Sequence, residues 1–304
     1  MKAIRHNNFI IGILCAIGCE VFFGLSYIFT KSATQEASAF SLLGWRFIVA
    51  FVIMSVIVLL GIIKINLKGK PIMPLLLVAL FSPCIYFIGE TIGISRTTAS
   101  ESGVFLACIP VASLVASTLI LKKKPSKIQV VGILITLAGV AVTVLAVGAA
   151  SSLSVIGYVF LLVAVVSYAL YSIFAEKASK YTGGEITYMM LLAGAIVFGV
   201  IAVCEALLHG TVGELIALPF KSSDFLVAIL YQSIGCSVLA FFMSNAAIAR
   251  IGVNRASSFI GVSTVVSVVA GALLLKETFT IYQIIGAAVI VVGIYTANAK
   301  KTTE

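Results

Sequence analysis

Residues 250–294 read RIGVNRASSFIGVSTVVSVVAGALLLKETFTIYQIIGAAVIVVGI, and a shift of 154 residues lays them on residues 96–140, RTTASESGVFLACIPVASLVASTLILKKKPSKIQVVGILITLAGV. Without a gap, 12 of the 45 positions are identical. They include Arg96 with Arg250, Ser113 with Ser267, Lys122 with Lys276, Gln129 with Gln283, Gly132 with Gly286 and Gly139 with Gly293. Chance in so apolar a composition would give roughly a third of that. Each copy holds two apolar runs, and about 20 apolar residues cross the hydrocarbon core as a helix. A repeat at this distance divides the 304 residues into two nearly equal halves.

Working outward from the repeat, the chain contains ten such runs: about 9–30, 39–62, 73–94, 98–120, 128–147, 153–175, 186–208, 224–249, 256–275 and 280–298. Strands are not expected, because a membrane barrel shows short alternating segments instead. The first run is too long for a signal-peptide core and reads as a retained span. The longest connection, His209 to Ser223, has room for little more than an interfacial turn. Each half, 1–148 and 149–304, holds five spans. Five is odd, so the second copy enters from the opposite side, as in transporters built from inverted repeats. Span one also echoes span six, Ser26-Tyr27-Ile28-Phe29 against Tyr171-Ser172-Ile173-Phe174. The predicted fold class is an all-α integral membrane protein with ten transmembrane helices in two inverted five-helix repeats.

Composition agrees. The chain is 61% hydrophobic and 10% charged, against about 25% charged for a soluble domain. A water-soluble core has no room for that much apolar surface. The net charge of +9 does not point to nucleic acid, because the basic residues form short clusters between apolar runs rather than a stripe with aromatics. With the N-terminus inside, inner loops and tails hold fifteen Lys and Arg and outer loops hold four, Lys31, Arg96, Lys221 and Lys276; Arg46, inside span two, completes the twenty. That bias predicts cytoplasmic N- and C-termini in a multi-pass cell-membrane protein. The six cysteines all fall inside apolar runs. They have no metal-ligand or loop-stapling spacing and read as small buried hydrophobes.

At this point the sequence resembles the drug/metabolite transporter superfamily, and within it the ten-span EamA-type transporters. The residues that carry the resemblance begin with Phe23-Gly24-Leu25-Ser26 running to Lys31, and Trp45-Arg46-Phe47. Thr98-Ala99-Ser100-Glu101-Ser102 and Ile109-Pro110-Val111 follow. The clearest stretch is Leu273-Leu274-Leu275-Lys276-Glu277-Thr278, then Gln283-Ile284-Ile285-Gly286 and Gly293. The match covers nearly the whole chain. It implies a basket of ten helices around a central cavity, and export or exchange of amino acids, related metabolites or other small organic solutes. The chain departs from the family pattern where Thr264 stands in place of a second-half proline, and where Lys123 stands opposite Glu277.

An ionisable group in mid-membrane costs about 2.5–3.5 kcal/mol even on the gentlest scale, so each needs a reason. Glu20 lies about halfway through span one, and Glu20, Gly24, Tyr27 and Lys31 share one helix face. That face should point at a cavity. There Glu20 is placed either to exchange a proton and pair with a cationic substrate, or to sit as a neutral, hydrogen-bonded structural group. On span three Ser82, Tyr86, Glu90 and Gly93 make a second polar-and-small face. Glu90 and Arg46 lie at similar depth, which predicts a structural ion pair or a gate. Ser233, Ser237, Ala240 and Ser244 on span eight, and Ser257, Gly261, Thr264 and Gly271 on span nine, suit close helix packing or a cavity wall. Pro110 frees a carbonyl inside span four and would kink it. The substrate or proton-binding candidates are therefore Glu20, Tyr27, Arg46, Tyr86, Glu90, Tyr171, Ser237 and Thr264. Trp45 and the charges Arg96, Glu101, Glu205 and Glu277 fit interfacial anchoring.

The leading class is a secondary active transporter working by alternating access, with a small-molecule substrate, the lipid bilayer as surroundings and no cofactor or metal. A monomer suffices, with a weak dimer left open. An intramembrane enzyme would need a nucleophile or metal constellation, and the sequence has no HExxH and no Gly-x-Ser-x-Gly. A channel would be expected to assemble around a repeated pore element. A phosphorylated-sugar or nucleotide-sugar exchanger would need more basic residues in the cavity than Arg46, with Lys31 at the rim.

Overall fold

The structure, a computed structural model, describes residues 2–96, 105–145, 154–275 and 280–298. Those residues are helical with no strand among them. In chain order the helices are α1 (Lys2–Glu36), α2 (Ala39–Leu59), α3 (Met73–Ser95), α4 (Phe105–Ile120), α5 (Lys127–Leu145), α6 (Val155–Lys177) and α7 (Gly183–His209). They continue as α8 (Val212–Lys221), α9 (Ser223–Ile251), α10 (Gly261–Leu275) and α11 (Ile281–Asn298). Among the described residues seven helices are long and apolar enough to cross a membrane; α4 and α5 are shorter apolar helices. Leu59, Leu208, Val155 and Tyr295 are more than 70% exposed. Such apolar outer faces are sites for lipid rather than water.

Local chemistry sets the helix ends. Ser38 and Ser154 accept backbone N–H bonds at the starts of α2 and α6. Thr182 and Glu185 form a reciprocal capping box on α7, and α7 ends at Gly210 in the left-handed conformation. Glu185 does more than cap. It is almost fully buried, and its carboxylate takes the Lys70 ammonium at 2.8 Å, the Asn66 N–H at 2.9 Å and the Thr182 N–H at 2.7 Å. The loop after α2 is thereby tied to the start of α7. Glu185→Ala leaves those donors without their acceptor. It is expected to lower stability by about 1–3 kcal/mol, read as a fall in Tm of the detergent-solubilised protein; an unchanged Tm removes this tie from the account.

The connection from His209 to Ser223 is more than a turn. It forms α8, whose Leu215 and Pro219 are buried one turn apart, so a four-residue apolar spacing there was enough to hold a helix. Trp45 donates its indole N–H to the Leu215 carbonyl at 2.9 Å, which makes it a packing residue as much as an interfacial one. Pro110 also differs from expectation. It stands in the first turn of the segment Ile109–Ile120, after a break at Cys108, where its missing N–H costs nothing. Cys204 is exposed, while Cys19, Cys84 and Cys236 are buried as expected.

Two long helices are irregular inside. In α3 the segment Leu80–Ile85 departs from the helix at Ser82 (φ −143°, ψ 123°). In α9, Tyr231–Ala240 winds as π-helix. The 154-residue shift carries Leu80–Ile85 onto residues 234–239, inside the second irregular segment. Ser82 and Tyr86 therefore do not continue one regular helical face. The packing of α5 on α11 shows a similar correspondence. A Cβ on Gly139 would lie 2.7 Å from the Ile290 nitrogen and 2.9 Å from the Gly286 carbonyl oxygen, and one on Gly293 would lie 2.8 Å from the Gly132 carbonyl oxygen. Glycines of one copy thus face the non-equivalent glycines of the other, Gly139 against Gly286 and Gly293 against Gly132, and the backbones touch.

Candidate functional site

A small cavity with free space of about 10 Å³, room for about one water, opens where four segments meet. Ala16, Cys19 and Glu20 come from α1, Tyr168 and Ser172 from α6, Ser244, Ala247 and Ile248 from α9, and Ala256 and Ser257 from the short turns before α10. That is well below the usual small-ligand pocket of about 300–1,000 Å³. Small residues at Ala16, Ala247 and Ala256 make the space; a larger side chain at any of them would fill it. Turns of 253–260, rather than a continuous helix, bring Ser257 to the wall.

Glu20 is the acidic group of this wall, 6% exposed. Its Oε1 lies 4.0 Å from the Cys19 thiol, and the Ser263 hydroxyl stands beside it. Among the described residues no cation pairs with it; the described ion pairs are Lys70 with Glu185 and Lys123 with Glu176. The predicted face of α1 divides. Glu20 meets the cavity, whereas Gly24 is pressed on α10, where an added Cβ would come within 2.7 Å of the Ser263 carbonyl oxygen and of Val266. The side chains of Tyr27 and Lys31 lie outside the described residues.

Next to the cavity runs a band of aromatic hydroxyls. Tyr86 donates to Glu90 Oε1 at 2.7 Å. The Tyr86 ring meets Tyr168 edge-on at 5.5 Å, and Tyr168 meets Tyr171 at 5.3 Å. The Tyr171 hydroxyl donates to Asn245 Oδ1 at 2.9 Å and lies 3.2 Å from the Ser244 hydroxyl; Asn245 in turn donates to Thr187 at 3.2 Å. Glu90 meets the Tyr86 end of this band, and Glu20 shares the cavity wall with Tyr168, its middle ring. In a low-dielectric interior every member of such a band needs a partner.

Arg46 corrects the expectation made for it. It is buried, at 6% exposure, but it does not pair with Glu90. Its Nε donates to the Ser237 hydroxyl at 2.8 Å, and Nη1 reaches Gln232 Oε1 at 3.5 Å. Its guanidinium lies over Phe87 at 4.8 Å and Phe47 at 5.3 Å. The Tyr86 hydroxyl already occupies Glu90, and α9 supplies the polar groups that Arg46 uses. Arg46 and Ser237 are thus brought together, as are Tyr86 and Glu90, with Tyr171 one contact from the cavity. Thr264 is half-buried and outside the cavity wall.

The sequence did not single out Tyr168 and Ser172 as a pair, although their i, i+4 spacing on span six is a legible signal. It also passed over Gln232, and Glu176. The latter holds Lys123 in an ion pair and accepts the Val253 N–H at 2.7 Å. That contact joins the chain ends of α4, α6 and α9 below the cavity turns. Glu205, expected at an interface, accepts a hydrogen bond from the Ser38 hydroxyl; Glu101 and Glu277 lie outside the described residues.

Comparison with known proteins follows this geometry. The model of the EamA-like transporter family matches residues 10–145 and again residues 155–299. An uncharacterized transporter of Bacillus subtilis, YcxC, is 32% identical over 287 residues, covering 94% of this chain and 92% of its own. An uncharacterized transporter of Archaeoglobus fulgidus is 24% identical over 281 residues, covering 92% and 96%. A crystal structure of a protein 18% identical superposes with a TM-score of 0.74 over 94% of this chain and 97% of that one, a likeness of fold alone.

Proposed function

Because the chain belongs to the EamA-like transporter family, we propose that this multi-pass membrane transporter is a secondary active carrier of small organic metabolites, working by alternating access with Glu20 as its proton-exchanging group. The solutes are amino acids or related compounds, moved by export or exchange. The reading takes ten spans in two inverted halves, 1–148 and 149–304, in the cell membrane with both termini cytoplasmic. The paired irregular segments in α3 and α9 and the facing glycines of α5 and α11 support the repeat. The seven long apolar helices, with α4 and α5 beside them, support the spans, and the lysine and arginine bias supports the orientation.

The observation that carries the function is Glu20 itself. It is a buried carboxyl on the wall of a small cavity where α1, α6 and α9 meet, with no cation paired to it among the described residues. Such a group is a functional-site candidate by its cost alone. No cofactor is required, because solute and proton gradients supply the energy.

The test is solute-driven proton movement in proteoliposomes with an internal pH dye and a panel of amino acids and metabolites. Wild type should acidify or alkalinise the lumen with at least one solute, while Glu20→Gln should lose proton movement by about 100-fold, the scale of a removed proton-transfer group. If Glu20→Gln still couples protons, the carboxyl is structural. If labelled solute exchanges equally in both and no proton moves, the carrier is a facilitator or exchanger.

A further inference from the structure

We propose that Arg46 is the anchor for a carboxylate on the transported solute. The inference deepens the transporter reading and rests on it. A buried guanidinium inside a membrane span is costly unless its charge and donors are met. Here two of its three nitrogens are met and the third is not. Nε donates to Ser237, Nη1 points to Gln232, and Nη2 is buried with no acceptor among the described residues.

The arrangement is oriented rather than loose. Phe87 and Phe47 lie against the guanidinium, in the manner of cation–π contacts. Gln232 donates its amide to Thr30 at 2.9 Å, which turns its oxygen toward Arg46, and Ser233 donates to the Arg46 carbonyl at 2.9 Å. With the plane held and two nitrogens engaged, Nη2 is the donor left for a ligand oxygen. Glu90 is the acidic group whose charge acts on Arg46 from α3, and its own oxygen is held by Tyr86.

The ligand's charge follows from the count. One guanidinium with one free nitrogen suits a single negative charge. A dianionic phosphate placed beside it would retain uncompensated charge in a low-dielectric interior. The position also fits a path. Ser237 beside Arg46 and Ser244 in the cavity wall lie seven residues apart on α9, roughly 10 Å. A small solute bound by its carboxylate at Arg46 is therefore about one molecular length from Glu20's cavity.

The test uses purified full-length protein and matched pairs: acetate and acetamide, phenylacetate and phenylacetamide, alanine and alaninamide, each titrated by thermal shift at constant ionic strength. At least one carboxylate should bind about tenfold or more tightly than its amide, the ratio a charge-assisted hydrogen bond gives. Arg46→Gln should erase that preference, because it removes the charge that distinguishes a carboxylate from its amide. Gly213→Ala, on α8 where nothing lies within 4 Å of an added Cβ, should keep it. Equal affinity for every pair in wild type, or no shift with any carboxylate, overturns the proposal before any variant is made. Preference that survives Arg46→Gln also overturns it. Carboxylate binding without flux in proteoliposomes would leave Arg46 in place and sink the transporter reading instead.

Discussion

Gly139→Leu is expected to yield no folded, monodisperse protein after detergent extraction. The α5–α11 interface is built on backbone-to-backbone approach. A Cβ at Gly139 would already lie under 3 Å from the Ile290 nitrogen and the Gly286 carbonyl. Those are main-chain atoms of a packed helix, so no rotamer change relieves the clash. Overpacking by one or two methylenes costs about 1–3 kcal/mol; a branched four-carbon side chain against fixed backbone exceeds that and must separate the helices. In a bilayer the loss is greater in kind, because close packing rather than the hydrophobic effect holds spans together. Gly139→Ala should give an intermediate result, extractable protein with a lowered Tm. Gly213→Leu is the matched control, since nothing lies within 4 Å of a Cβ there. Size-exclusion chromatography of the three variants decides it. A monodisperse Gly139→Leu protein with wild-type Tm would mean that α5 and α11 do not meet as described.

That interface was visible in the sequence in one sense. Gly132, Gly139, Gly286 and Gly293 were among the identities of the repeat, because only a residue without a side chain fits where two backbones touch. What the sequence could not supply was their partner. Periodicity marks a face but not which helix covers it, and the glycines of one copy turn out to face those of the other. Glu20 was legible for a different reason: an isolated carboxyl in an apolar run has few places to go. Ser244 and Ser257 were read as packing or cavity-wall residues, but the sequence did not show that they, with Tyr168 and Ser172, reach Glu20 from three distant segments. The Arg46–Glu90 pairing failed because depth along a helix says nothing of azimuth. Tyr86, one turn from Glu90, was closer, and α9 offered Arg46 two polar groups. Helix α8 was missed because ten residues with two buried positions leave too weak a pattern beside spans of twenty.

Ser257→Phe is expected to reduce solute exchange to the level of protein-free liposomes in a protein that still folds, at a lowered Tm. Ser257 lines the cavity, is 4% exposed, and its hydroxyl has no hydrogen-bond partner among the described residues. Replacing it therefore breaks no bond, and removes a buried polar atom whose burial is itself unfavourable. A phenyl ring exceeds the free space of about 10 Å³ at this wall and stands near Glu20, so a solute and the ring cannot be accommodated together. Overpacking of this kind costs about 1–3 kcal/mol, so Tm should fall while the protein stays monodisperse. Loss of exchange in a monodisperse protein separates a blocked path from an unfolded one. Ala16→Leu approaches the same space from α1 and should act in the same direction, whereas Ser257→Ala, which keeps the space open, should exchange solute as wild type does. If Ser257→Phe is folded and still exchanges labelled solute at the wild-type rate, the solute does not pass this cavity, and Glu20 must act on the proton alone.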